Sequence, residues 1–328
     1  MSYLSPKEVA ASAVEIECGK ANLCISKMIT LGFLAGAFIA FGAETATLVA
    51  HDIPGVGLAR LVSGMVFSAG LMMVVIAGAE LFTGNVLMFL DVLDGEVTLT
   101  KLLRSWFWVY FANFAGSLAV AYLMYFSGLW ALNNNLVGAS AIKIALGKCG
   151  LSFTSALVRG VFCNWLVCLA IWMAWASKDI VGKIFGIFFP ITLFVASNFE
   201  HSIANMYYIP AGILAKANPG AVEASHLADK LGMLTWHAFL VKNLVPVTIG
   251  NILGAAIFVA TFYWFSYVRG SHVQAAVAVA APAPEATSLR EALVRRAFAE
   301  NCPAFQSCPA VASAEKKLEQ PDLVGTGK

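Results

Sequence analysis

Six apolar stretches, at 28–50, 61–90, 104–130, 154–176, 184–215 and 238–268, dominate the chain and restrict its fold more than any other feature. Each can cross the ~30 Å of bilayer hydrocarbon, which takes about 20 apolar residues as helix. In lipid every backbone polar group must be paired internally, so helices or a closed barrel are the only spanning forms. Stretches this long and unalternating predict helices. Two of them are interrupted. Glu80-Leu-Phe-Thr-Gly-Asn85 breaks the second, and Glu200-His-Ser-Ile-Ala-Asn205 breaks the fifth with the same Glu-x4-Asn spacing. After each break comes an apolar helix with an Asn-x-x-Gly step, Asn113 to Gly116 and Asn251 to Gly254. Polar breaks at matching places in two halves point to a transport site near the bilayer midplane.

Composition agrees. The 328 residues are 59% hydrophobic and 12% charged, against about 25% charged in soluble domains. A net charge of +2 exerts no strong pull on nucleic acid. The seven cysteines lack zinc or redox spacing, so no metal, cofactor or disulfide framework is expected. Residues 1–27 read as a cytoplasmic amphipathic helix at the membrane surface, with Ser5 as cap, Pro6 at the first helical position and Glu8 closing a capping box. Residues 28–269 form the transmembrane domain. Residues 270–328 are an Ala/Pro-rich, disordered cytoplasmic tail, with a short helix at 288–300. With both termini inside, eight inner flanking cations face six outer ones (Arg60, Lys143, Lys148, Lys216, Lys230, Lys242). That bias has the expected sign. Gly32-x-x-x-Gly36 and Gly250-x-x-x-Gly254 predict close helix crossings.

Three motifs in the same chain resemble the formate/nitrite transporter family. They are Asn198-Phe-Glu-His-Ser-Ile-Ala-Asn-Met206 with Ile209-Pro-Ala-Gly212, Glu80-Leu-Phe-Thr-Gly-Asn-Val86, and Val245-Pro-Val-Thr-Ile-Gly-Asn-Ile-Leu-Gly254. The resemblance covers residues 5–269, lies nearest the formate-channel branch and does not extend to the tail. It implies an all-α membrane protein of six transmembrane helices, an inverted 3+3 repeat with two broken helices in an aquaporin-like arrangement, assembled as a homopentamer in a plasma (bacterial inner) membrane. The single Asn218-Pro219-Gly220 reads as a loop turn, not the paired aquaporin motif.

The substrates it implies are small monovalent weak-acid anions, formate first, then nitrite, with lactate and hydrosulfide open, and protons as a second partner. Carried over by position, His201 is the central pore histidine, which, or water held beside it, supplies the anion with a proton, and Thr83 faces it from the first break. Asn251 lies near the histidine. Lys148, at an outer helix start, and Asn164 form an outer polar pair. Phe67, Leu71 and Phe194 form apolar constrictions. Glu80 reads as a loop brace, and Glu200 as a brace or a member of the proton path. Asn113 reads as a helix-packing residue. An intramembrane enzyme using Glu200 and His201 as an acid–base pair, with Cys163 or Ser202 as nucleophile, finds no metal spacing or nucleophile elbow to support it.

Overall fold

A computed structural model describes residues 3–269, and those residues contain no named strand. The expected tail, its helix at 288–300, Cys302 and Cys308 lie outside them. Five helices are long and apolar enough to cross a membrane: α2 (Ile25–Ala50), α3 (Val56–Gly78), α5 (Leu99–Ser127), α7 (Phe153–Ala176) and α11 (Ala238–Val268). The remaining apolar passage is made of two shorter helices, α8 (Ile180–Ala196) and α9 (Ser202–Ala215). The counterpart of α9 after the first break is α4, a helical run over 82–94.

The two breaks are built alike. The backbone turns left-handed two residues before each glutamate, at Gly78 (φ +85°) and at Asn198 (φ +58°). Glycine and asparagine tolerate that conformation best. The chain then extends and starts a new helix. Before the first break, α3 widens into a π-helical turn at Met73–Gly78, a distortion that tends to mark functional positions.

The halves also pack alike. α2 lies on α5 as α7 lies on α11, and α3 crosses α8 between the halves. Glycines set these distances. A Cβ on Gly36 would overlap the Asn113 carbonyl, one on Gly116 the Phe33 carbonyl, one on Gly250 the Leu157 carbonyl and one on Gly254 the Val161 carbonyl. Each obstacle is backbone and cannot swing aside. Gly36→Val is therefore expected to lower the melting temperature of the detergent-purified protein sharply, since overpacking costs about 1–3 kcal/mol or more. Gly147→Val, where a Cβ meets nothing within 4 Å, is the matched control.

Two features, at α1 and at Asn218, depart from the sequence reading, and a third, in the connection between α5 and α7, is one it did not address. Helix α1 (Pro6–Ala21) forms with its Ser5/Glu8 capping box, but it buries Val9, Ala10, Ala13 and Glu17 against α7, α4 and the end of α11 instead of presenting an apolar face to a bilayer. The connection between α5 and α7 is not a plain loop. It carries α6 (Leu136–Cys149), which packs on α9. Asn218-Pro219-Gly220 starts a short helix, α10 (Pro219–Ser225), where the Asn218 side chain accepts from the Gly220 and Ala221 N–H groups. This is an asparagine cap with proline in the first turn.

Candidate functional site

Each break frees backbone groups in the bundle interior, and one asparagine per half takes them up. Asn113 Nδ2 donates to the carbonyls of Gly32 (2.7 Å) and Glu80 (2.9 Å), while its Oδ1 accepts from Phe82 N–H (2.9 Å). Asn251 Nδ2 donates to the carbonyls of Gly160 (2.8 Å) and Glu200 (2.9 Å), and its Oδ1 accepts from Ser202 N–H (2.8 Å). The glutamates fold back on their own loops: Asn85 donates to Glu80 Oε2 at 2.8 Å and Asn205 to Glu200 Oε2 at 2.7 Å. Their backbone N–H groups reach Leu31 O and Arg159 O, both at 3.2 Å. Asn113 and Asn251 thus do the same work, although the sequence reading separated a packing residue from one at the path.

His201 and Thr83, 118 positions apart, meet where the two breaks face each other, with Nε2 and Oγ1 3.0 Å apart. The other ring nitrogen settles the tautomer. Nδ1 accepts the Ala204 N–H at 3.0 Å and caps α9, so it carries no proton. The ring proton sits on Nε2 and is donated to the Thr83 oxygen, leaving the threonine hydroxyl hydrogen free for another acceptor. Adding a second ring proton would set Nδ1–H against the Ala204 N–H and break the cap. The loop around Thr83 is fixed by Asn164, whose Nδ2 donates to Thr83 O (3.0 Å) and to Asn251 O (2.8 Å). Phe67 and Phe194 meet edge to face at 5.6 Å between centroids, and Phe194 lies 6.0 Å from the His201 ring. With Leu71 they are buried to 3% exposure or less.

Lys148 is in the last turn of α6, not at a helix start. It is not paired with Asn164. Its ammonium donates to Glu200 Oε1 at 3.0 Å and lies 5.2 Å over the Tyr208 ring. Glu200 also accepts from Asn205 and Asn243. Lys148→Met would leave that buried carboxylate without its cation. Breaking a buried pair from one side costs about 3–5 kcal/mol, and some residual water contact at the lysine favours the low end. The expected result is a clear fall in melting temperature, partly recovered in the Lys148→Met/Glu200→Gln double variant.

Cavities approach the site from both ends. One of about 490 Å³ at the α6 end is lined by Thr47, Arg60, Ser63, Lys143 and Tyr208, the last two turns along α9 from His201. One of about 300 Å³ at the α1 end is lined by Lys20, Glu80, Leu81, Gly84 and Trp175, and so reaches the residues flanking Thr83. Both are rimmed by cations. Lys20 was not singled out from the sequence: it sits in α1, and only docking of that helix brings it to the break. Its ammonium bonds Glu17 at 2.7 Å and lies 5.8 Å over the Trp175 ring. Burial pushes the Glu17 carboxyl up to about 7 despite the opposing pull of Lys20. Ser105 and Asn243 were also missed. They take the Asn85 and Asn205 amides in the two halves, and each lies eight residues before its bracing asparagine, a spacing that comparison of the halves would have exposed.

Comparison with known proteins follows this geometry. The family model described as formate/nitrite transporter matches residues 7–265. A probable formate transporter of Methanothermobacter thermautotrophicus is 43% identical, covering 82% of this chain and 98% of its own length. The formate channel FocA of Escherichia coli is 38% identical, covering 81% and 95%. Among solved structures, a pentameric formate channel with formate bound superposes with a TM-score of 0.67 at 34% identity, covering 75% of this chain and 98% of that one. An FNT family ion channel gives 0.66 at 29% identity, covering 80% and 98%. These are transporters and channels, not enzymes, and the reading of Glu200 and His201 as an enzymatic acid–base pair falls with that.

Proposed function

The chain belongs to the formate/nitrite transporter family, and from that premise we propose that it moves small monovalent weak-acid anions, formate first and nitrite as nearest rival, through a path centred on His201. The contact of His201 with Thr83 at the meeting of the two breaks carries this reading. The ranking of formate draws on relatives described as formate transporters and channels. The pentameric solved neighbour supports a homopentamer. The α1 end and both termini face the cytoplasm of a bacterial inner membrane, and the halves are inverted repeats.

Charge dictates the mechanism. Taking a bare carboxylate into an apolar constriction has an idealised cost of about 20 kcal/mol. Protonating an acid of pKa about 4 at pH 7 costs about 4 kcal/mol. The cations at either mouth gather the anion, and it crosses the Phe67, Leu71 and Phe194 constrictions as the neutral acid. Because Nδ1 of His201 is committed to the Ala204 N–H, the imidazole gives its Nε2–H to Thr83 Oγ1 and no full proton to the anion. The Thr83 hydroxyl, oriented by that bond, is the donor that meets the anion. Water in the cavities supplies the proton. Asn251, Asn164, Glu80 and Glu200 hold the two breaks in register, and Lys148 steadies Glu200 while lending positive charge to its end of the path.

The test is uptake into proteoliposomes with formate, nitrite and lactate presented separately across a pH series. Formate uptake is expected to exceed the others and to rise as the outside pH falls. Uptake that follows nitrite and ignores formate would overturn the ranking, and no uptake of any of them would overturn the function.

A further inference from the structure

Among the ionisable side chains buried in the bundle outside the two breaks is a carboxyl on α2. Glu44 lies on α2, in the run Phe-Gly-Ala-Glu-Thr-Ala-Thr, and is 8% exposed. Its Oε2 accepts the Tyr207 hydroxyl of α9 and, at 3.5 Å, the indole N–H of Trp130 from the turn between α5 and α6. Both donors are neutral. Its Oε1 is buried without a hydrogen-bond partner. We propose that Glu44 is a proton-holding site for the α6-end cavity, binding a proton on Oε1 and exchanging it with water there. The inference rests on the weak-acid reading above and assigns that reading a proton source.

The charges around Glu44 argue for a proton instead of a counter-ion. Glu44 takes no part in the ion pairs Lys20–Glu17, His51–Asp52 and Lys148–Glu200. Of the basic groups on the helices packed beside it, Lys148 of α6 is taken by Glu200, whereas Lys143 of α6 and Arg60 of α3 line the cavity. At the end of α2, His51 Nε2 faces the Asn133 amide and Asp52 receives the same amide. On α9 the ionisable neighbours are Tyr207 and Tyr208. A carboxylate buried without a cation is costlier than the neutral acid, and intramembrane carboxyls that face a water-filled path are recurrent proton carriers.

Position connects the site to the path. Thr47, one helical turn beyond Glu44, lines the cavity, and so does Tyr208, next to Tyr207. Glu44 and its partner Tyr207 thus each neighbour a cavity-lining residue. The exchange balances simply. A hydronium in the cavity gives its proton to Oε1 and becomes water. On release the carboxyl returns that proton to cavity water, where a formate takes it and becomes formic acid. His201 cannot serve as this store while its Nδ1 caps α9.

The experiment uses the full-length protein in proteoliposomes, with formate as the probe. Infrared spectra across a pH series are recorded for wild type, Glu44→Gln, Glu44→Asp and Tyr207→Phe. Wild type is expected to show at pH 7 the carbonyl stretch of a protonated carboxyl. In difference spectra against wild type, a component of that band should be lost in Glu44→Gln, persist in Glu44→Asp and shift in Tyr207→Phe, the Glu17 carboxyl contributing equally to all of them. Formate uptake by Glu44→Gln should fall about tenfold at pH 7, with the deficit closing as the outside pH approaches about 5, where bulk protons are plentiful. A merely structural role would lower uptake equally at every pH. The same band in wild type and Glu44→Gln, or an unchanged pH profile, overturns the proposal. Should Glu44→Gln not assemble, a wild-type band unmoved by Tyr207→Phe overturns it instead, and a shifted band upholds it. A wild type that shows the band but carries no formate refutes the transport reading and leaves the proton site standing.

Discussion

His201→Phe is expected to leave a folded protein whose formate uptake at pH 7 is about ten- to a hundredfold below wild type. The substitution removes the Nε2–H donor at the meeting of the two breaks and replaces it with a ring of similar shape. A hydrogen bond to a charged or strongly polar partner is worth about 1.5–3 kcal/mol, and each 1.4 kcal/mol is about a factor of ten. The variant also loses the Nδ1 cap on Ala204 N–H, a cost of about 1 kcal/mol in stability. His201→Asn separates the two effects, because asparagine is a good cap and offers an amide donor. It should recover most of the melting temperature and part of the uptake. Wild-type uptake with a wild-type pH profile in His201→Phe would remove the histidine from the mechanism.

The largest stability effect is expected at the bracing asparagines. Asn251→Leu keeps the volume but leaves the Glu200 carbonyl and the Ser202 N–H of the break unpaired in the interior, and strips the helical Gly160 carbonyl of its second bond. A buried polar group without a partner costs about 1–3 kcal/mol, and two such groups amount to roughly 2–6 kcal/mol, a large part of the stability of many domains. Failure to accumulate as an assembled membrane protein, or a collapse of the melting transition, is the expected readout. Asn113→Leu should do the same, because it orphans the Glu80 carbonyl and the Phe82 N–H and takes the second bond from the Gly32 carbonyl. A mild effect at Asn113 beside a severe one at Asn251 would refute the equivalence of the two braces.

Residues whose type is rare in lipid were the easiest to read. Polar side chains in an apolar stretch need partners there, so Glu80, Glu200 and His201 are legible from the breaks they occupy, whereas Thr83 and Asn251 take their roles from the family resemblance. Residues whose importance depends on what lies opposite them were harder. Ser105 is unremarkable until the Asn85 amide is seen to reach it. Glu44, in an apolar helix, carried the right signal, but without a repeat or motif around it the reading passed it over. The family resemblance pairs Lys148 with Asn164, yet the fold sends the lysine to Glu200 and the amide to two carbonyls.

From the sequence alone came the membrane class, the helical form, the places of both breaks and the family. Hydrocarbon cannot solvate peptide groups, so long apolar runs and their interruptions leave little choice of local structure. Only the tertiary structure decided which partners the loops have, which nitrogen of His201 accepts the Ala204 N–H, that α1 docks on the bundle, that Lys20 comes to the first break and that Glu44 meets Tyr207 and Trp130. Those outcomes depend on contacts between segments far apart in the chain. A hydrogen bond is set by distance and direction in space, to which composition and spacing are blind.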